Sequence, residues 1–189
     1  MKKKVIIIEG PDNCGKDTLI NKLKLEFDNP VVIHAGIPDS NTNLFEFYLN
    51  GLIHNTLDSF YDKEHDAIIH NRSMYGEFVY GPKYRRQMPS DVAKMIYKLE
   101  TGQLRTFIFS DQLYFILLTS SDVDLLASND DGKSISNKKS DIQDEIHAFD
   151  TIFNLSQIEN KKRIYVNNGN KFRSKDDIYN EVLNFINNM

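Results

Sequence analysis

Gly10-Pro11-Asp12-Asn13-Cys14-Gly15-Lys16-Asp17-Thr18 is the stretch on which the reading of this chain turns. An apolar, β-branched run (Val5, Ile6, Ile7, Ile8) precedes it, and a helical pattern (Leu19, Ile20, Leu23, Phe27) follows. A strand that empties through a glycine loop into a helix N-terminus points several backbone N–H groups at one spot. Together with the helix dipole, those groups hold phosphate oxygens. Lys16 adds a mobile positive charge for the outer phosphates, as in G-x-x-x-x-G-K-[ST]. Asp17 breaks that pattern, standing where a Mg²⁺-binding Ser or Thr belongs. The plainer reading is a glycine turn that merely joins strand to helix. Strand, both glycines, lysine and helix together favour the phosphate loop, with Gly10, Asn13, Cys14, Gly15, Lys16, Asp17 and Thr18 as its candidate contacts.

A chain of 189 residues predicts one domain, 1–189, large enough to bury a real core. Hydrophobic residues make up 40% and no apolar run approaches a membrane span, so a soluble protein with no membrane partner is expected. Met1-Lys2-Lys3-Lys4 is basic, but a strand and the loop follow it rather than a cleavable signal segment. The single cysteine, Cys14, has no partner for an internal disulfide, which fits a reducing cytoplasm. Its simplest role is a small residue filling a tight loop, not a redox switch. Net charge is −4, with no long basic block and no Trp, which argues against nucleic acid as a docking partner.

Strands alternate with helices along the rest of the chain. Pro30–His34 reads as a second strand, ended by the loop Ala35–Asp39. Apolar residues from Leu44 to Tyr61 fall at helical spacing, with Phe45, Phe47 and Tyr48 near the start. Asp66–Asn71 is a third, buried strand, with Arg72 just past its carboxyl end. Ser73 to Tyr80 reads as a helix closed by Gly81-Pro82, followed by Lys83, Arg85 and Arg86. Ser90-Asp91 is expected to cap the next helix, and Leu113–Leu118 to form a fourth strand covered on both faces. After a short helix at Asp122–Leu126 the composition turns polar; residues 128–140 predict a mobile flap or a disordered stretch. Ser140-x-x-Gln143 resembles a capping box, Arg163–Val166 is the fifth strand, and Ser174-x-x-Asp177 starts the last helix. The fold expected is α/β: a P-loop three-layer fold, its five-stranded parallel sheet covered by helices on both faces.

Phosphoryl transfer needs aligned phosphates, a cation on the bridging oxygens and positive charge at the transferred group. The loop serves a donor. Arg72, with Arg85 or Arg86, serves an acceptor, because a guanidinium fork grips phosphate in two bonds. Arg72 carries the most weight, since it follows the third strand at the sheet edge where ligands bind.

Glu9-Gly10-Pro11-Asp12 with Gly15-Lys16-x-Thr18, then Asn71-Arg72 followed by Gly76-Glu77-x-x-Tyr80-Gly81-Pro82-x-Tyr84-Arg85, resembles the thymidylate kinases, in the variety found in bacterial viruses. The resemblance covers almost the whole chain in order, and Asp130-Asp131-Gly132-Lys133-Ser134 falls where that family carries its lid, which makes residues 128–140 the expected mobile polar lid. It implies transfer of the ATP γ-phosphate to a deoxypyrimidine monophosphate, dTMP or dUMP, with Mg²⁺, in a homodimer in the cytoplasm (the host's, for a virus). By matched position, Arg72 takes the acceptor phosphate and Asp12 lies near the acceptor sugar and the metal. Gly76, Glu77 and Tyr80 fall where the family's helix meets base and sugar, Arg85 completes that side, and Phe45 or Phe47 stacks on the base. Lys16, Asp17 and Thr18 meet the donor phosphates, and the loop with Asn167 and Asn168 lies near adenine.

Three departures stand out. Asp17 replaces the hydroxyl residue, Asn71 replaces the acidic residue that usually precedes the arginine, and neither the loop nor residues 128–139 hold an arginine. The first two are read as linked, Asp17 supplying at the metal the charge that Asn71 has given up, so that Asp17, Asp12 and Asn71 are the metal candidates. For the third, Lys133 is the candidate to close over the transferring group, with Lys138 and Lys139 behind it. Glu77 is expected to accept the N3–H of thymine or uracil, and it suits guanine's adjacent N–H donors equally, which keeps dGMP open as an acceptor. Two other readings remain open: a deoxynucleoside kinase, since Asn71-Arg72-Ser73 also resembles that family's Glu-Arg-Ser element, and a nucleotide-binding regulator that has lost catalysis.

Overall fold

A computed structural model describes residues 2–39, 41–85, 87–102, 104–105, 111–129, 134, 136 and 138–188. Five parallel strands form its middle layer: β1 (Lys4–Glu9), β2 (Pro30–His34), β3 (Ala67–Asn71), β4 (Leu113–Thr119) and β5 (Lys161–Tyr165), in the order β2-β3-β1-β4-β5. Alternation along β1 explains the layering. Val5 and Ile7 face one core with Ile68, Leu113, Phe115 and Leu117; Ile6 and Ile8 face the other with Ile69, Tyr114, Ile116 and Leu118. All seven residues of β4 are buried, as a strand covered on both sides requires, whereas edge strand β2 is only half-buried.

Helix α1 (Lys16–Leu23) and the last helix pack on the Ile6 face. On the Val5 face lie α2 (Leu44–Tyr48), α3 (Asn55–Tyr61), α4 (Met74–Tyr84) and α5 (Pro89–Thr101). The remaining helices are α6 (Val123–Ser128), α7 (Lys139–Leu155) and α8 (Lys175–Asn187), with α7 reaching both cores through Ile142 and Phe149. A two-residue hairpin, β6 (Asn167–Asn168) and β7 (Lys171–Phe172), follows β5. Among the described residues, no helix is long and apolar enough to cross a membrane.

Four helix boundaries differ from the sequence reading. A π-helical turn, Leu49–His54, joins α2 to α3 and resets the register of the apolar stripe between Tyr48 and Ile53. Helix α4 does not stop at Gly81-Pro82; it runs through the proline to Tyr84, and Arg85 N–H closes it on Gly81 O at 2.8 Å. Met88 is the N-cap of α5, with Pro89 at the first helical position, where a missing N–H costs nothing. Lys138 is the N-cap of α7, so Ser140 lies inside the first turn rather than capping it. Asp122 and Ser174 do cap α6 and α8, each accepting a backbone N–H at 3.0 Å.

The topology creates the site. Chain order carries β2 and β3 to one side of β1, then crosses to β4 on the other. A crevice opens where the order reverses, outside the carboxyl ends of the strands. Register puts Ile8 beside Asn71 and Ile116, and Asn71 beside His34, so these strands end together at the crevice.

Candidate functional site

The loop after β1 takes its shape from two glycines. Gly10 has φ 144°, and a Cβ there would lie 2.1 Å from the Leu118 carbonyl oxygen. Only glycine lets the loop press this closely on β4. Gly15, at φ 77°, is the N-cap of α1 and supplies no side chain to its first N–H groups, which are left for an anion. Cys14 is buried against the Ile6 core, and burial pushes its thiol up to about 12. It contributes main chain to the loop, in line with the filler reading.

Lys16 folds back over the loop. Its Nζ donates to Gly10 O at 2.8 Å and Pro11 O at 2.6 Å, and lies 4.0 Å from Asp12 Oδ1. Burial, with the charge of Arg72, lowers its ammonium to about 8. Across the crevice Arg72 has φ 66°, in the left-handed region that a branched, bulky side chain avoids. That conformation follows from its backbone N–H being turned to Ile8 O at 3.2 Å, directly after β3. Its guanidinium pairs with Asp12 and donates to Tyr80 Oη at 3.4 Å, lying over the Tyr80 ring. One Asp12 oxygen therefore faces both cations. Tyr80, expected beside base and sugar, is the shelf under Arg72.

A cavity of about 930 Å³ runs through the crevice. Its walls include Asp12, Asn13, Cys14, Gly15, Lys16, Asp17 and Thr18 of the loop, and Asn71, Arg72, Gly76, Glu77, Tyr80 and Arg85 on the other side. Of the aromatic cluster on α2, Tyr48 lines the cavity; neither Phe45 nor Phe47 does. Phe45 is exposed, and Phe47 packs edge-on to Tyr48 at 5.0 Å. Glu77 is buried, and both its oxygens are taken: Oε1 by Arg85 Nε at 2.8 Å, Oε2 by Arg85 Nη2 at 2.7 Å and Tyr48 Oη at 2.8 Å. In this arrangement it has no oxygen turned to a base N–H. Arg85 keeps only Nη1 without a partner among the described residues.

At the far end, Asn167 accepts from Ser120 Oγ at 3.1 Å and Ser121 N at 3.0 Å, and donates to Ser121 Oγ at 3.0 Å and Gly169 O at 2.7 Å. Three of these bonds tie the hairpin to the end of β4 and the fourth closes its turn, so the amide is fully used, and Asn168 is exposed off the cavity wall. The wall there is Val166, Phe172, Arg173 and Ile178. No motif marked them; the β6–β7 hairpin that carries Phe172 was read as a simple loop.

Glu9 was also passed over as a site residue. It is fully buried at the end of β1, where Oε1 accepts from Ser73 N and Ser73 Oγ, both at 2.6 Å, and from Gly76 N at 3.3 Å. Its Oε2 has no partner, and burial raises its carboxyl despite Ser73 and the charges of Arg72 and Lys16. Glu9 sits behind the cavity wall and braces the start of α4, the turn that carries Arg72.

Of the expected lid, Ser134 Oγ accepts from Asn13 Nδ2 at 2.9 Å, and Ser136 is held by Glu145 and Tyr84. Lys139 pairs with Asp124 at 2.8 Å on the surface. Lys133 and Arg86 lie outside the described residues. Asn71 Nδ2 donates to Asp17 Oδ1 at 2.7 Å, which joins the two departures from the motif directly. Among the described residues no group of three His, Cys, Asp or Glu is placed to hold a metal. Asp17 and Asp12 on the cavity wall are two carboxylates, and Mg²⁺ takes one or two from a protein and completes its shell with phosphate and water.

No protein-family model and no curated protein sequence matches this chain. Solved structures do. The YorR protein of Bacillus subtilis, solved with phosphorylated GDP, is similar at 18% identity and a TM-score of 0.63, over 95% of this chain and 94% of that one. A thymidylate kinase from Candida albicans is similar at 15% identity and a TM-score of 0.63, over 99% and 92%. A deoxyadenosine kinase from M. mycoides, with dCMP and dCDP bound, is similar at 12% identity and a TM-score of 0.54, over 98% and 100%. These likenesses show the fold, which is the three-layer P-loop kinase fold.

Proposed function

We propose that the chain is a nucleotide kinase that moves the γ-phosphoryl group of ATP to a deoxypyrimidine monophosphate, dTMP or dUMP. The observation that carries this reading is the pair of cations on Asp12. Lys16 belongs to a triphosphate cradle; Arg72, in a strained conformation at the end of β3, faces the same point from the acceptor side. A second cation so placed, here an arginine, serves a second phosphate, and the thymidylate-kinase resemblance of residues 71–85 points the same way.

In this reading the loop N–H groups and Lys16 take the donor phosphates. Arg72 exchanges Asp12 for the acceptor phosphate, with Tyr80 keeping its plane. An acceptor phosphate oxygen bonds to the γ-phosphorus in line with the departing β,γ-bridging oxygen, which leaves with ADP. Mg²⁺ would be held at Asp17 and Asp12 beside Asn71, and when bound it neutralises charge on the bridging oxygens. We further propose that the lid expected at 128–140 acts on the donor side; its described residue Ser134, bonded to Asn13 of the loop, supports that reading. Because Arg85 and Tyr48 occupy Glu77, base reading passes to the Arg85 N–H groups that Glu77 does not take, donors suited to a base carbonyl. Thymine and uracil O4 and guanine O6 are such carbonyls, at the edge where cytosine and adenine carry an amino group. Unsatisfied donors there disfavour a base with an amino group at that edge.

The test is ADP release from ATP with a panel of nucleosides and monophosphates offered separately. Turnover with dTMP or dUMP and none with thymidine is expected, with Arg72→Met raising the monophosphate KM. A deoxynucleoside kinase would instead use the nucleoside, with a base at its hydroxyl; Asn71, which stands on the cavity wall just before Arg72, cannot be that base. ATP binding without acceptor-dependent turnover would mark a regulator. The homodimer belongs to the same proposal, and a monomer mass by light scattering would remove it.

A further inference from the structure

We propose that Asp17 and Asn71 are an exchanged pair, in which the loop rather than the strand supplies the charged ligand to the divalent cation that accompanies the triphosphate. The inference rests on the donor side of the reading above and does not depend on which acceptor is used. In the usual P-loop arrangement the loop offers a hydroxyl and an acidic residue stands at a strand end. A hydroxyl can donate to a carboxylate, so that pair holds one negative charge and one internal hydrogen bond. Here the loop position is a carboxylate and the strand position an amide, and the amide donates to the carboxylate at 2.7 Å. The single negative charge and the single internal hydrogen bond are both kept. Only the owner of the charge has moved.

Three features make the exchange functional rather than two unrelated drifts. Asp17 and Asn71 come from different elements, α1 and β3, and meet across the end of β1, so the contact needs both residues. Both line the phosphate cavity. Asn71 holds Oδ1 of Asp17, while Oδ2 has no hydrogen-bond partner among the described residues and is left as the ligand atom. Asp17 also stands in the first turn of α1, at the positive end of the helix dipole. Asn71 is then a positioning residue, the neutral partner that orients a metal-binding carboxylate. The arrangement disfavours either half of the swap alone. Asn71→Asp would set two carboxylates against each other at hydrogen-bond distance, and Asp17→Thr would leave the pair a hydroxyl and an amide, with Asp12 as the remaining charge.

Mn²⁺ binding to the protein with a non-hydrolysable ATP analogue, followed by loss of the free-ion electron paramagnetic resonance signal, reads this without turnover. Nucleotide affinity is measured in parallel with EDTA present. Asp17→Asn should weaken Mn²⁺ binding about tenfold or more, while the affinity for metal-free analogue changes by no more than about threefold. Asp17→Thr and Asn71→Asp should each weaken Mn²⁺ binding, and the double variant should return to within about threefold of the parent. Asp17 is exposed, and unfolding midpoints confirm that each variant folds. A double variant that is merely the sum of its singles overturns the exchange, as does an Asp17→Asn protein that binds Mn²⁺ and analogue like the parent. If the parent binds no analogue with or without metal, the kinase reading falls and this inference with it.

Discussion

Glu77, Arg85 and Tyr48 show what a buried charge demands. Glu77 has its side chain 1% exposed, and Arg85 only 15%. Glu77→Ala would strand the guanidinium without its carboxylate and leave the Tyr48 hydroxyl without an acceptor. Such a loss costs about 3–5 kcal/mol, to be read from urea denaturation. A Glu77→Leu, Arg85→Met double variant should lose much less, because it buries neither charge; equal losses would show that the pair is not coupled. Cys14 offers a second check. Its thiol is buried and pushed up to about 12, so iodoacetamide at pH 8 should label the unfolded chain and spare the native one. Fast labelling of the folded protein would mean a loop more open than the one described. The loop was legible at this scale because each letter answers to backbone geometry: glycines at Gly10 and Gly15, a small residue at Cys14, a cation at Lys16. Glu77 was misread because its partner stands eight residues on. With a helix thought to stop at Gly81-Pro82, Arg85 looked like a loop residue reaching for an anion. The helix continues to Tyr84 and brings Arg85 back over Glu77.

Strand β3 carries a further charge problem in His70, buried on the Val5 side of the sheet. The Thr56 hydroxyl donates to Leu52 O at 2.6 Å, so at 2.9 Å it accepts from His70 Nε2–H. Nδ1 is therefore the unprotonated nitrogen, and it has no partner. Burial lowers the imidazole from its usual value to about 4. The unfolded chain thus takes up this proton first as pH falls. The native state keeps its full stability above about pH 6.5 and loses it on the way down to about 4, by roughly 3 kcal/mol at most. Unfolding free energies at a series of pH values should show that slope, and His70→Asn, which cannot titrate, should flatten it relative to the parent. Identical slopes would mean that His70 does not set the acid limit. Element types were legible because the strands are apolar and β-branched and the helices keep their spacing. The ends were less so. Ser90 and Ser140 have the side chains of caps, yet the chain enters α5 through Met88-Pro89 and α7 through Lys138. Tertiary packing chose those starts, and a local hydrogen bond worth about 1 kcal/mol does not outweigh it.

Across the whole molecule, the reversal of strand order at β1 turns two half-sites into one space. The sequence revealed both halves separately, the loop from its motif and Arg72 from its place after β3. It did not reveal the outer walls, where Phe172 and Arg173 arrive on a two-residue hairpin and Tyr48 across the neighbouring strand β2. Those contacts depend on pairing distant segments, for which no local pattern exists. The cavity of about 930 Å³ stands at the upper end of what a single small ligand fills, and it runs unbroken from Phe172 to Arg85. If donor and acceptor lie in it end to end, a ligand that joins adenosine to thymidine through a polyphosphate chain engages both half-sites at once. Its second half then binds as if at high local concentration, and its affinity should exceed that of the better separate nucleotide by about 10²-fold or more. Lys16 and Arg72 both have to leave Asp12 for this ligand, so Asp12 is released from both ion pairs in a single step. Calorimetry with the joined ligand, ATP analogue and dTMP in turn measures the gain. A joined ligand that binds no better than its stronger half would show that the two ends of the cavity do not hold two nucleotides in line, and in-line transfer would lose its geometric basis.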